Sequence, residues 1–115
     1  HGPHVSVFAP HPLPELSASV LACGYFFGTE ALTNAAKHAP GAPVSVLVTS
    51  DDSLRITVVD EGPGGAQVVP GRGLAGMAER LAAFGGEMSL SSPPGGPTRV
   101  AGSIPLLLDR GQPGV

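Results

Sequence analysis

The sequence predicts a two-layer α/β sandwich with its helices on one face of the sheet. Three observations predict it. Short runs of alternating apolar residues give five strand segments, two stretches carry helical spacing, and together they run in the order β-α-β-β-α-β-β. Glycine and proline, 30 of 115 residues, concentrate between these segments rather than within them. Eight lie between Gly62 and Gly76 and five form the run Pro93 to Pro97, so they mark loops rather than a disordered chain.

The elements follow in chain order. His4 to Ala9 alternates and reads as a short strand, broken by Pro10, Pro12 and Pro14. Leu13 to Ala39 reads as a long helix with Pro14 in its first turn and Pro40-Gly41 at its end. Gly24 and Gly28 lie inside that helix at a cost of about 1 kcal/mol each relative to Ala, which close packing on a sheet would explain. Pro43 to Ser50 and Ser53 to Asp60 are strands joined by Asp51-Asp52, a hairpin signal. Residues 60 to 73 form a Gly/Pro loop, and Leu74 to Phe84 is a second helix with Leu74, Met77, Leu81 and Phe84 at helical spacing. Glu87 to Ser92 is a strand, Pro93 to Pro97 a turn, Thr98 to Leu107 the last strand, and Asp109 to Val115 a frayed tail. There is no internal repeat.

Composition excludes several functions. Six Lys and Arg against nine Asp and Glu give a net charge of -3, which argues against binding a nucleic-acid backbone. The longest apolar stretch, Leu16 to Thr29, falls short of the ~20 residues a membrane helix needs. No basic leader with a cleavage site is apparent, and the start at His1 reads as part of a longer protein. Cys23 is alone, which excludes a disulfide framework and favours a reducing compartment; it reads as a small buried side chain, not a nucleophile. His4 and His11 lack carboxylate or Cys partners at ligand spacing and are not read as a metal site.

Three segments carry candidate chemistry. Asn34 stands four residues after Glu30, and Lys37 and His38 stand three and four after Asn34, so the four share one helix face. The opposite side carries Leu32, Ala35, Ala36 and Ala39. Such a polar stripe is either a face turned to water or a carboxylate, amide and cation around a bound ion or phosphate. An amide oxygen with a carboxylate suits Mg²⁺, a hard cation that shares its ligands with phosphates. The second segment is Asp60-Glu61-Gly62-Pro63-Gly64-Gly65 after an apolar strand, either an ordinary acidic turn or a carboxylate presented to a ligand. The third is Gly71-Arg72-Gly73-Leu74-Ala75-Gly76-Met77, a glycine loop entering a helix whose unpaired N–H groups attract phosphate. It is neither a dinucleotide fingerprint, since no strand immediately precedes it, nor a Walker A loop, since no Gly-Lys-Ser/Thr follows.

In order and spacing the three segments resemble the ATP-binding catalytic domain of bacterial two-component sensor histidine kinases. That domain shares a superfamily with DNA gyrase, the MutL repair ATPase and the large heat-shock chaperone ATPase. Glu30 to Ala39 looks like the family's N box, Asp60 to Gly64 like its G1 box and Gly71 to Arg80 like its G2 box. The Gly-Met-x-Glu-Arg ending, Leu13-Pro14, Tyr25 and the stretch Pro94 to Val100 fit the class whose response regulators carry a helix-turn-helix output domain. The likeness runs from about His4 to Leu107.

The resemblance implies a Bergerat-type α/β sandwich, a mixed and mostly antiparallel sheet packed against three helices. ATP would lie between the helices and a lid, kept short here by the six residues between Gly65 and Arg72. Asn34 would ligate Mg²⁺ and Glu30 would hold a metal-bound water or assist proton removal. Lys37 and His38 would lie near the phosphates, Lys37 the better placed for direct contact. Asp60 would accept from the adenine amino group, with Thr98 supporting that pocket. Gly62 and Gly64 would let the backbone pass close to the nucleotide, and Gly71, Gly73, Leu74, Gly76 and Met77 would form the phosphate-side loop and helix start. The reaction implied is transfer of the γ-phosphate to a histidine on a separate dimerisation domain, for relay to a response regulator. That acceptor domain is absent from these residues, so the piece is expected to bind ATP without phosphorylating itself efficiently. The resemblance further implies a homodimeric full-length protein and a cytoplasmic domain without membrane contact, membrane anchoring of the whole being left open. Pro97 departs from the pattern, standing where glycine usually precedes the Thr. The alternatives are an anti-sigma-factor-type serine kinase of the same fold and a non-catalytic nucleotide-binding interaction module.

Overall fold

The computed structural model describes residues 5–69, 71 and 73–106. Expectations that fall on His1, His4, Arg72, Leu107 and the tail Asp109 to Val115 lie outside them. The described elements keep the expected order: β1 (Val5–Phe8), α1 (Ala18–His38), β2 (Val44–Ser50), β3 (Ser53–Asp60), α2 (Gly73–Ala82), β4 (Glu87–Ser91) and β5 (Thr98–Pro105). The strands form a five-stranded sheet in the order β1-β2-β3-β5-β4. β1 runs parallel to β2 and every other pairing is antiparallel.

Alternation decides which face of the sheet is covered. On β3 the side chains of Leu54, Ile56, Val58 and Asp60 are buried, and on β5 those of Thr98, Val100 and Ile104. The register joins them into rows: Leu54 faces Ile104, Ile56 faces Gly102, Val58 faces Val100 and Asp60 faces Thr98. The inner face is thus apolar along most of its length and turns polar at one end. Asp60 and Thr98 are the only buried polar side chains among the described residues.

Helix α1 covers this face with Val20, Cys23, Gly24, Phe27, Ala31 and Ala35, spaced by three and four residues. Helix α2 adds Ala75, Met77 and Leu81. Phe27 is 1% exposed, and it lies where β5 carries no side chain. A Cβ on Gly102 would come within 2.9 Å of the Phe27 ring and 3.0 Å of Leu81. Glycine in the sheet interior therefore makes the socket for the largest core side chain. Gly24 also packs closely, its Cβ position 3.2 Å from Leu54 and 3.3 Å from Ile56, whereas Gly28 faces open space and the packing expected for it does not occur.

Helix α1 starts five residues later than expected. Ser17 is its N-cap, in extended conformation (φ -66°, ψ 157°), and its Oγ accepts the N–H of Val20 at 3.2 Å. Upstream, Pro12 and Pro14 hold the residues before them away from the helical region, so Leu13 to Leu16 lead in as irregular chain. The described residues contain two helices, not the three that the resemblance implied. The helix polarity also differs from expectation in one respect. Ala35 and Ala39 are buried, but Ala36 is exposed.

Cys23 sits in this core, its Sγ 4.0 Å from the carbonyl oxygen of Arg80, whose guanidinium stacks 4.2 Å above the Phe26 ring. Burial pushes the Cys23 thiol pKa above its ordinary value, and the nearby Arg80 charge offsets only part of that. The thiolate is the reactive form, so the native thiol is expected to resist an aromatic disulfide reagent at pH 8 and react on unfolding. Rapid stoichiometric labelling of folded protein contradicts this placement.

Candidate functional site

The polar end of the sheet opens into a cleft of about 380 Å³, within the range of small-molecule sites. Its helical wall is the last two turns of α1, through Ala31, Asn34, Ala35, His38 and Ala39. Its floor is the end of the inner sheet face: Val58 and Asp60 from β3, Thr98 and Val100 from β5. The loop from Pro63 to Val69 and the start of α2 at Gly73 and Leu74 close the third side. All three motif segments therefore border one space.

Asn34 is half-buried, and its Nδ2 donates to the Met77 sulfur at 3.7 Å. One amide N–H is thereby engaged by the core, and Oδ1 carries no hydrogen bond among the described residues. A Cβ on Gly73 would stand 3.5 Å from that Oδ1, so the amide lies beside the first turn of α2. Helix α2 has no acidic residue in its first turn, so no carboxylate of that turn offsets the positive dipole end beside the cleft. His38 is the sole basic side chain among the described residues lining the cleft, and Asp60 the sole acidic one.

Asp60 ends β3 with one carboxylate oxygen committed to its own turn. Oδ1 accepts the Gly62 N–H at 2.9 Å. The second oxygen has no hydrogen bond among the described residues, which makes it the free acceptor of the floor. Across the register, Thr98 Oγ1 lies 2.6 Å from Ser92 Oγ. Ser92 also fastens the loop: its Oγ accepts the Ala66 N–H at 2.9 Å and its carbonyl oxygen the Gly65 N–H at 2.9 Å. The Gly95 N–H donates to the Pro63 carbonyl at 2.8 Å. At Gly64 (φ +73°) a Cβ would overlap the Pro93 carbonyl oxygen, and at Gly96 (φ +80°) the Gly62 carbonyl oxygen. The two loops thus touch main chain to main chain, at positions only glycine fills.

Of the residues singled out in the sequence, Asn34, His38, Asp60, Gly64, Gly73, Leu74 and Thr98 line the cleft. Glu30, Lys37, Gly62, Gly71, Gly76 and Met77 do not. Glu30 lies one turn before Asn34, half-buried, and Lys37 is exposed on the neighbouring flank of α1. Gly62 shapes the Asp60 turn and leaves no room for a Cβ against Ala39. Met77 is wholly buried and acts on the cleft through its sulfur, which orients Asn34. Ala35 and Ala39, expected opposite the polar stripe, lie beside Asn34 and His38 in the wall. The run Ala31, Ala35, Ala39 was a readable sign of this, since small residues every four positions leave space along one helix edge. Gln67 and Ser92 carried no comparable signal, because each reaches the site through loop geometry.

The chain belongs to the histidine kinase-, DNA gyrase B- and HSP90-like ATPase family, which it matches over residues 28–108. It is 33% identical over 79 residues to the sensor histidine kinase YxjM of Bacillus subtilis (strain 168), covering 68% of this chain and 20% of that protein. It is 38% identical over 64 residues to the sensor histidine kinase LnrJ of the same organism, covering 55% of this chain and 16% of that protein. The chain therefore spans a fifth or less of these relatives. Its fold is that of the histidine kinase domain from the Erythrobacter litoralis EL346 blue-light activated histidine kinase, with a TM-score of 0.73 at 23% identity over 96% of this chain and 54% of that one. Full-length ShkA, solved in complex with AMPPNP, has a TM-score of 0.73 at 22% identity over 90% of this chain and 26% of that one. No helix among the described residues is long and apolar enough to cross a membrane.

Proposed function

We propose that this domain binds ATP with magnesium in the cleft and is the phosphoryl-donor part of a protein-histidine kinase. The observation that carries the reading is the convergence of Asn34, Asp60 and the start of α2 on one space whose floor holds the buried Asp60–Thr98 pair. The free oxygen of Asp60 accepts the adenine amino group, and the apolar floor and alanine wall take the ring. The triphosphate runs toward the N–H groups of α2 and toward His38, with Lys37 within reach of a terminal phosphate from outside the wall. Gly62, Gly64, Gly71 and Gly76 act through the backbone of the surrounding loops.

Among the described residues no group of three or more His, Cys, Asp or Glu side chains stands close enough to hold a metal ion. Asn34 Oδ1 supplies one hard oxygen, which fits magnesium only in company with phosphate oxygens and water. When bound, that ion neutralises charge on the triphosphate. Glu30, one turn away, assists proton removal or holds a water. In the transfer, the bond from the γ-phosphorus to the β–γ bridging oxygen breaks, a P–N bond forms on a histidine of a separate dimerisation domain, and ADP leaves. A response regulator then receives the phosphoryl group, and the full-length protein is a homodimer.

Calorimetry tests the reading. Mg²⁺ alone is expected to give no saturable heat, and ATP with Mg²⁺ a single-site isotherm. A flat titration with both favours the interaction-module alternative. A phosphoserine product in place of phosphohistidine, when a dimerisation domain is supplied in trans, favours the serine kinase.

A further inference from the structure

We infer that Ser92 is a positioning residue that fixes the proton direction of Thr98 and so makes the cleft floor selective for adenine. The inference rests on the nucleotide reading above. Ser92 Oγ and Thr98 Oγ1 are 2.6 Å apart, a short bond between two hydroxyls that either proton can fill. A hydroxyl has one proton to give and two lone pairs to receive. Ser92 Oγ already receives the Ala66 N–H at 2.9 Å.

Two arrangements are then available. If Thr98 donates to Ser92, the Ser92 oxygen accepts twice and its own proton has no acceptor among the described residues. If Ser92 donates to Thr98, the Ser92 proton and one lone pair are both used, and the Thr98 proton is left for the cleft. Each arrangement leaves one spare proton, but only in the second does that proton face the cleft, so every group is satisfied once a ligand acceptor takes the Thr98 proton. Thr98 is only 8% exposed, and what exposure it has opens into the cleft, whose lining it joins.

The consequence lies in the pair that the sheet register creates. Asp60 and Thr98 are direct neighbours across β3 and β5. Asp60 offers a fixed acceptor, and Thr98, with its direction set by Ser92, offers a donor. Adenine carries the matching edge, an amino donor beside a ring-nitrogen acceptor. Guanine carries the reverse, a carbonyl acceptor beside a ring N–H, and meets acceptor with acceptor and donor with donor. Ser92 never touches the base; it acts through Thr98.

The test compares ATP with 1-deaza-ATP, which lacks the ring nitrogen beside the amino group. Wild-type protein is expected to bind ATP about 10-fold more tightly than the deaza analogue. Ser92→Ala frees the Thr98 hydroxyl to turn. It loses the Ala66 anchor for both nucleotides alike, and beyond that common loss it is expected to reduce the preference for ATP over 1-deaza-ATP from about 10-fold to about twofold. Equal losses for both nucleotides, or no loss for either, overturn the role of Ser92 and leave the ATP reading standing. Failure of wild-type protein to bind ATP removes that reading and this one with it. Should Ser92→Ala not fold, the wild-type comparison carries the test, and equal affinity for the two nucleotides overturns the inference.

Discussion

Asp60→Asn is expected to weaken Mg-ATP binding by roughly 10- to 150-fold, with the fold retained. The substitution keeps shape and keeps one oxygen, so the Gly62 N–H at 2.9 Å still finds an acceptor and the turn survives. What changes is the outer atom, from an anionic acceptor to an amide donor, which under the proposed function would face the adenine amino group. A hydrogen bond to a charged group contributes about 1.5–3 kcal/mol, which converts to the range given. Circular dichroism and thermal melting check the fold, and calorimetry reads the affinity. Asp60→Asn that melts like wild type and binds ATP equally well would leave Asp60 as a turn residue only.

Phe27→Ala is expected to cost about 3–5 kcal/mol of stability, lowering Tm by roughly 10–20 °C. The ring is among the largest fully buried side chains and lies against the backbone of β5 at Gly102. Its removal leaves a cavity bounded by sheet backbone, which cannot collapse inward easily. The partner residue sharpens the experiment. Gly102→Ala alone forces a methyl to within 2.9 Å of the ring and is destabilising, but in the Phe27→Ala background that clash is gone. The two changes should therefore be non-additive in a double-mutant cycle. Additive losses would show that Gly102 is not the socket of Phe27.

Much of the fold was legible because its strands alternate strictly. Ser53–Asp60 appears with the same bounds in sequence and structure, since an inner row of Leu54, Ile56 and Val58 admits one register. The three motif segments were legible because the first sets four polar side chains at helical spacing and the other two set glycines around a charged side chain. Other features depend on contacts that no local pattern contains. The start of α1 was misplaced because apolar Leu13 and Leu16 continue the helical pattern upstream, while the hydroxyl of Ser17 decides the cap. The resemblance implies Met77 at the phosphate-side helix start, whereas its helical spacing with Leu74 and Leu81 turns it into the core, where it is wholly buried. Ser92 looked like an ordinary strand-end serine. Its neighbours Ala66 and Thr98 lie 26 and 6 residues away, and only the folded chain joins all three.

The rim of the cleft has a consequence for how such a domain diversifies. Residues 62–65 and 93–97 rest on each other without intervening side chains, so a length change on one side displaces the other. Any lineage that inserts or deletes residues there has to alter both segments together. Divergence that tunes how long a ligand stays is thereby channelled into 67–69, where Gln67, Val68 and Val69 are exposed beyond the last anchoring bond.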